Sequence, residues 1–218
     1  MFTGIIETIG RIERIEPSSG GGRIEIAVES AARAPLGPGA SVAVNGCCLT
    51  VAVAGEEGFV ADLSPETLRR TSFAELPAGS LVNIERPLTA GAELGGHFVL
   101  GHVDGVGRVE RILREGENGW LSVRVAPEMA RYVAEKGSLA IDGISLTVAA
   151  CAGLRADFAI IPYTFAHTNL RAKAEGDPVN LEIDVLARYI ERLVQARTEP
   201  AASQAERLTL ARLIDEGF

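Results

Sequence analysis

Branched apolar residues alternate with polar ones in short runs through the first hundred positions, at 2–15, 23–30, 41–44, 48–54, 59–63 and 81–85, with Gly, Pro, Asn and Ser between the runs. A period of two is the signature of strands with one buried face, so these runs predict about six short strands. Ser64 followed by Pro65 has the form of a helix start, with Ser as N-cap and Pro in the first turn, and predicts one or two helical turns over 65–71. The whole pattern then recurs with a constant shift of 97 residues, which carries Gly4 onto Gly101. SVAVNGCCLTV from Ser41 falls on SLAIDGISLTV from Ser138, PETL from Pro65 on PYTF from Pro162, and VNIE from Val82 on VNLE from Val179. Four blocks in register mark a tandem duplication of a domain of ordinary size. Many short strands in so small a domain favour closure into a mostly antiparallel barrel, which removes exposed edges. The expected fold is therefore all-β, two tandem six-stranded barrels, with domains at 1–97 and 98–185.

The pattern changes once, near the end. Leu186, Tyr189, Ile190, Leu193 and Val194 recur at helical spacing, which predicts an amphipathic helix over 186–197 with no counterpart in the first copy. Its apolar stripe calls for a surface to cover it, and another subunit is the obvious one. Residues 198–218 read as a tail, with a linker followed by a short segment at 208–214 whose conformation the pattern leaves open.

Strand parity separates core from candidate site, because side chains two apart share a face. Cys47, Leu49 and Val51 match Ile144, Leu146 and Val148, an apolar face in both copies. The opposite face carries Cys48 and Thr50 in one copy and Ser145 and Thr147 in the other. Two readings fit this face. Cys48 can be a small buried hydrophobe and the hydroxyls can satisfy backbone groups; or each copy lines its own small-molecule pocket, the reading that repetition favours. Two similar ligands held on one protein would replace a bimolecular encounter by a preset geometry. The linking segment, Leu94 to Gly105, contains His97 and His102 among several glycines. It lacks a third metal ligand and a surrounding βαβ unit, so neither a metal site nor a dinucleotide fingerprint is expected. His102 follows the duplicated glycine where the first copy has Ile5, and either a proton-transfer or a structural role suits it.

Composition narrows the partners. The 218 residues carry a formal charge of −8, 47% hydrophobic and 5% aromatic residues. An acidic chain with few aromatics and no Lys/Arg cluster is a poor match for nucleic acid. No apolar stretch approaches the length of a membrane span and no leader pattern is visible, which gives the expectation of a cytoplasmic protein. Three cysteines, two of them adjacent, form no disulfide framework or zinc spacing, in keeping with a reducing compartment.

At MFTGII, SVAVNGCCLTV, DLSPETLRRT from Asp62, GGHFVLGHVDG from Gly95, GSLAIDGISLTV from Gly137 and VNLEIDVLARYIERL from Val179, the chain closely resembles the riboflavin synthase family, of the type built from two lumazine-binding repeats. The resemblance runs to about residue 197. It implies two Greek-key barrels, a homotrimer held by the C-terminal helices, and active sites between the N-terminal barrel of one subunit and the C-terminal barrel of its neighbour; it admits association with lumazine synthase. It also implies the reaction, in which two molecules of 6,7-dimethyl-8-ribityllumazine dismutate to riboflavin and 5-amino-6-ribitylaminouracil. No metal or redox cofactor is implied, since one substrate donates four carbons to its twin. The chemistry asks for a nucleophile at C7 of the donor, a base for the acidic C7 methyl of the acceptor, and donors for the ring charge.

Carried over by position, the implied ligand contacts of the first barrel are Gly4, Ile5, Ile6, Cys48, Leu49, Thr50, Asp62, Leu63, Ser64, Pro65, Glu66 and Thr67. Those of the second are Gly101, His102, Val103, Lys136, Ser145, Leu146, Thr147, Ala159, Ile160, Ile161, Pro162, Tyr163 and Thr164. Cys48, His102, Ser145, Thr147 and Asp184 are the expected catalytic positions. Tyr163 departs from the pattern, standing where the first copy has Glu66 and where the family often has an acid. A non-catalytic lumazine or flavin binder with the same repeats is the rival reading. Such a binder could let one pocket decay, whereas both hydroxyl or thiol faces are intact here.

Overall fold

The computed structural model describes residues 1–28, 36–115 and 118–198. In the first copy β1 (Thr8–Ser18), β2 (Gly21–Val28), β3 (Ser41–Val44), β4 (Cys47–Ala54), β5 (Gly58–Leu63) and β6 (Leu81–Glu85) close in the order β1-β2-β5-β4-β3-β6. In the second, β7 (Gly105–Glu115), β8 (Asn118–Arg124), β9 (Ser138–Ile141), β10 (Ile144–Ala152), β11 (Arg155–Ile160) and β12 (Pro178–Ile183) close in the equivalent cyclic order. All pairings within the barrels are antiparallel, and β2 reaching past its neighbours in sequence to pair with β5 is the Greek-key crossover.

Duplication extends to the irregularities. Bulges fall between Ile12 and Arg14 and between Val109 and Arg111, and again between Val51 and Val53 and between Val148 and Ala150. Extra residues at matched places bend the strands around each barrel in the same way. Asn45-Gly46 joins β3 to β4 and Asp142-Gly143 joins β9 to β10, all four residues with positive φ, the backbone that a two-residue hairpin requires and that Asn, Asp and Gly tolerate. The interiors are filled. Ile12, Ile26, Val42, Leu49, Val51 and Ile84 in one barrel, and Val109, Leu121, Leu139, Ile141, Val148 and Leu181 in the other, are buried, each worth about 1.5–3 kcal/mol of burial. Ligands are therefore left with the outer faces.

The short helices follow the sequence closely. Helix α1 (Pro65–Arg70) starts at Ser64, whose side chain accepts the Thr67 N–H. Helix α2 (Pro127–Ala130) is a single turn after β8, and α3 (Pro162–His167) repeats α1 without a side-chain cap, because Ile161 stands where the first copy has Ser64. Helix α4 (Val185–Thr198) carries the predicted stripe, with Tyr189, Ile190 and Leu193 each more than 60% exposed. Residues 1–185 form one compact unit, and the described residues from Leu186 to Thr198 belong to a second. The segment expected at 208–214 lies outside the described residues. Among the described residues no helix is long and apolar enough to cross a membrane.

One expected strand is shorter than its pattern. The run 2–15 enters the barrel only at Thr8. Phe2 pairs instead with Val99 from the other copy, and Gly4, with φ +77°, turns the chain away from the strand path.

The two barrels meet across a buried polar network. Asn83 donates from Nδ2 to the Asp142 carbonyl (2.9 Å), and the matching Asn180 donates to the Asn45 carbonyl (2.9 Å). The backbone N–H groups of Ser72 and Asn169 donate to Asn180 Oδ1 (2.7 Å) and Asn83 Oδ1 (2.6 Å). The copies differ within this network, at Ser72 and Asn169 and more strongly at a buried charge. Asp142 is fully buried and ion-paired to Lys173 at 3.0 Å, whereas the first copy places Asn45 and Leu76 at these positions.

Candidate functional site

The strands β4 and β10 present the face on which sequence parity placed the site. Cys48 and Ser145 are half-buried and Thr50 and Thr147 exposed, while Leu49 and Leu146 point into the barrel cores. The two leucines therefore do not face a ligand through their side chains. With Val51 opposite Ala61 on β5 and Val148 opposite Phe158 on β11, exposed Asp62 and Ala159 extend the same outer faces, and Leu63 and Ile160 return to the cores. Beyond them α1 carries Glu66, whose carboxylate is ion-paired to Arg69 and Arg70 and held below its ordinary range mainly by the Arg70 hydrogen bond. On α3 the equivalent Tyr163 instead stacks on His167, ring centroids 3.9 Å apart. The two outer faces thus end in a charged pair on one barrel and an aromatic pair on the other. A cleft of about 800 Å³ borders Arg23, Asp62 and Leu63, and another of about 790 Å³ runs along Thr3, Ile5, Ser41, Glu85 and Arg86; both are of ligand size.

The segments that complete these faces are exchanged between the barrels. The Ser145 N–H donates to the Gly4 carbonyl (2.8 Å), and the Cys48 N–H to the Gly101 carbonyl (2.8 Å). A Cβ on Gly4 would lie 2.6 Å from Ser145 Cβ, and one on Gly101 would lie 2.5 Å from Cys48 Cβ, so each strand approaches its segment closely only because glycine is there. This corrects the assignment by copy. Gly4 lies beside Ser145 of the second barrel and Gly101 beside Cys48 of the first, with Ile5 and Ile6, and His102 and Val103, following them in the chain. Lys136 is exposed, with φ +65°, on the turn before β9.

Exchange also changes which histidine meets Ser145. His97 Nδ1 lies 2.7 Å from Ser145 Oγ, and its Nε2 is buried with no hydrogen-bond partner among the described residues. His97 is 8% exposed, and burial lowers its pKa, opposed by the charge of Asp184. A neutral imidazole bonded to a hydroxyl is the arrangement of a general base with its proton donor. The sequence reading paired Ser145 with His102, because His102 follows a duplicated glycine. His97 has no counterpart in the first copy, its equivalent lying before Met1, so comparison of the copies could not select it. The signal that could have found it was its place two residues before Val99, which shares a copy position with Phe2.

The cysteines are not equivalent either. Burial pushes Cys47 up to about 12, which leaves it an inert thiol, while Cys48 on the outer face is the accessible one of the pair. Glu182 is raised to about 7 by burial, against the lowering effect of the backbone N–H groups of Leu100 and Gly101 that it accepts.

Comparison with known proteins bears on the fold and the family. A family model described as the lumazine binding domain matches residues 3–87 and again 100–184. The riboflavin synthase of Actinobacillus pleuropneumoniae is 40% identical over 220 residues, covering 100% of both chains. That of Mycobacterium tuberculosis is 43% identical over 207 residues, covering 90% of this chain and 99% of its own, and that of Bacillus subtilis is 35% identical over 218 residues, covering 100% of both. Among solved structures, LumP complexed with riboflavin superposes with a TM-score of 0.77 at 25% identity, covering 84% of this chain and 99% of its own. LumP complexed with 6,7-dimethyl-8-(1'-D-ribityl) lumazine gives a TM-score of 0.74 at 25% identity, covering 84% and 98%.

Proposed function

The chain belongs to the riboflavin synthase family, and on that premise we propose how its own residues carry the family's reaction. The activity is a transferase reaction, the dismutation of two 6,7-dimethyl-8-ribityllumazine molecules to riboflavin and 5-amino-6-ribitylaminouracil, the last step of riboflavin biosynthesis. The LumP structures favour a binder only weakly, since the whole-chain relatives at 35–43% identity are synthases and LumP stands at 25%.

The first pocket is the outer face of β4 and β5 with α1, closed by Gly101, His102 and Val103. The second is that of β10 and β11 with α3, closed by Gly4, Ile5 and Ile6. The observation that carries the division of labour is the 2.7 Å contact between His97 and Ser145. Neutral His97 takes the Ser145 proton when the hydroxyl acts on bound lumazine and returns it later, and the charge of Asp184 stabilises the imidazolium between those steps. Cys48 and exposed His102 serve the first pocket, where no such pair exists. Thr50 and Thr147 present hydroxyls to the two rings. The domains are 1–97 and 98–185, each closed by a segment docked on its twin, and the protein works in the cytoplasm.

A subunit with two working pockets binds two ligands. Calorimetric titration with 6-methyl-7-oxo-8-ribityllumazine, which lacks the reactive C7 methyl, should saturate at two per chain with unequal affinities, because Glu66 and Tyr163 differ. One site per chain at saturation counts against the second pocket.

The exposed stripe of Tyr189, Ile190 and Leu193 on α4 is the surface through which three copies associate, placing the first pocket of one subunit against the second pocket of the next. Ending the chain at Asp184 should give a folded monomer with poor turnover, followed by light scattering and a riboflavin fluorescence assay. Full activity in the monomer would refute a site shared between subunits. Association with lumazine synthase is tested by co-sedimentation.

A further inference from the structure

Two buried carboxylates hold the backbone that closes the pockets. Glu85 ends β6 and Glu182 stands next to last on β12, at the same position of the two copies, 4% and 5% exposed. Glu85 Oε1 accepts the Thr3 N–H (2.6 Å) and the Thr3 hydroxyl (2.7 Å), and its Oε2 accepts the Gly4 N–H (3.0 Å). Glu182 Oε1 accepts the Leu100 N–H (2.6 Å) and its Oε2 the Gly101 N–H (3.0 Å). Each carboxylate therefore grips two consecutive amides of a segment whose next contact is with the other barrel, through Gly4 to Ser145 and through Gly101 to Cys48.

We infer that Glu85 and Glu182 are positioning residues that act crosswise, each setting the ligand affinity of the pocket on the barrel to which it does not belong. Charge-assisted bonds to two adjacent N–H groups fix both the direction and the register of the segment. The glycine between carboxylate and strand has no side chain to hold it by packing, so these bonds locate it. Replacing the carboxylate by an amide turns one acceptor into a donor that faces an N–H. The segment must then move off its strand, and misplacement by about 1 Å is enough to cost on the order of 10²-fold in a preset site. Both carboxylates are engaged by backbone N–H groups, so the effect passes through Gly4 or Gly101. The inference rests on the two-pocket reading of the family reaction.

The test uses the full chain and titration with 6-methyl-7-oxo-8-ribityllumazine, for Glu85→Gln and Glu182→Gln alone and combined with Cys48→Ala or Ser145→Ala. Glu182→Gln should weaken one of the two sites by about tenfold to a hundredfold. Its effect should be non-additive with Cys48→Ala and additive with Ser145→Ala, and Glu85→Gln should show the reverse coupling. A general loss of stability would weaken both sites together, and coupling within the same barrel would reverse the pattern; either result overturns the inference. Should one variant fail to fold, the other tests the crosswise pattern by itself. Wild-type protein that binds fewer than two ligands would count against the two-pocket reading, separately from the role of the glutamates.

Discussion

Ser145→Ala lowers kcat by about 10²-fold to 10⁴-fold, the usual worth of a positioned acid or base, with KM changed far less. His97→Gln falls in the same range, because the two side chains act as one unit across their 2.7 Å contact. The double variant is then hardly slower than the worse of the two singles, since removing either member already disables the pair. Cys48→Ala costs less than Ser145→Ala, because no buried imidazole stands beside the thiol. His102→Gln belongs with Cys48, as Gly101 docks on β4, so its loss adds to that of Ser145→Ala instead of merging with it. Steady-state assays on the singles and the pairwise doubles decide the matter. If Cys48→Ala abolishes turnover while Ser145→Ala and His97→Gln stay near wild type, the chemistry sits on the thiol side.

Lys173→Leu lowers the unfolding free energy by about 3–5 kcal/mol, the scale for removing one partner of a buried ion pair. The loss arises because the Asp142 carboxylate, fully buried, keeps its bonds from the Asn180 N–H and from Asn169 Nδ2 but loses its compensating charge. Adding Asp142→Asn should recover at least half of the loss, since the first copy already folds with Asn45 and Leu76 at these positions and Asn tolerates the positive φ. Denaturant titrations at constant m-value measure both steps. A double variant as unstable as the sum of its singles would mean that the charge pair is not what the second copy depends on.

Repeat comparison worked where the two copies share a task and failed where they exchange parts. The barrels, their hairpin turns and the outer face of Cys48, Thr50, Ser145 and Thr147 were readable because period-two alternation and the shift of 97 residues report local geometry. Helix α1 with its Ser64 cap, and the stripe on α4, were readable for the same reason. The pairing of Ser145 with His97 was not. It depends on Phe2 lying against Val99 and on two carboxylates fixing the segments at 3–4 and 100–101, contacts between residues about 80 or more apart in sequence. Copy-by-copy alignment assumes that each repeat completes itself, so it put Gly4 with Cys48 and His102 with Ser145.

The duplication, the barrel class, the core faces and the family are legible along the chain, because each is written in neighbouring residues or in their recurrence. Tertiary contacts show which segment docks on which barrel, which histidine is buried against the serine, and where the copies part company at Asp142 and Lys173. These features depend on burial and on long-range hydrogen bonds, which shift a pKa or pin a glycine without leaving any periodic trace along the chain.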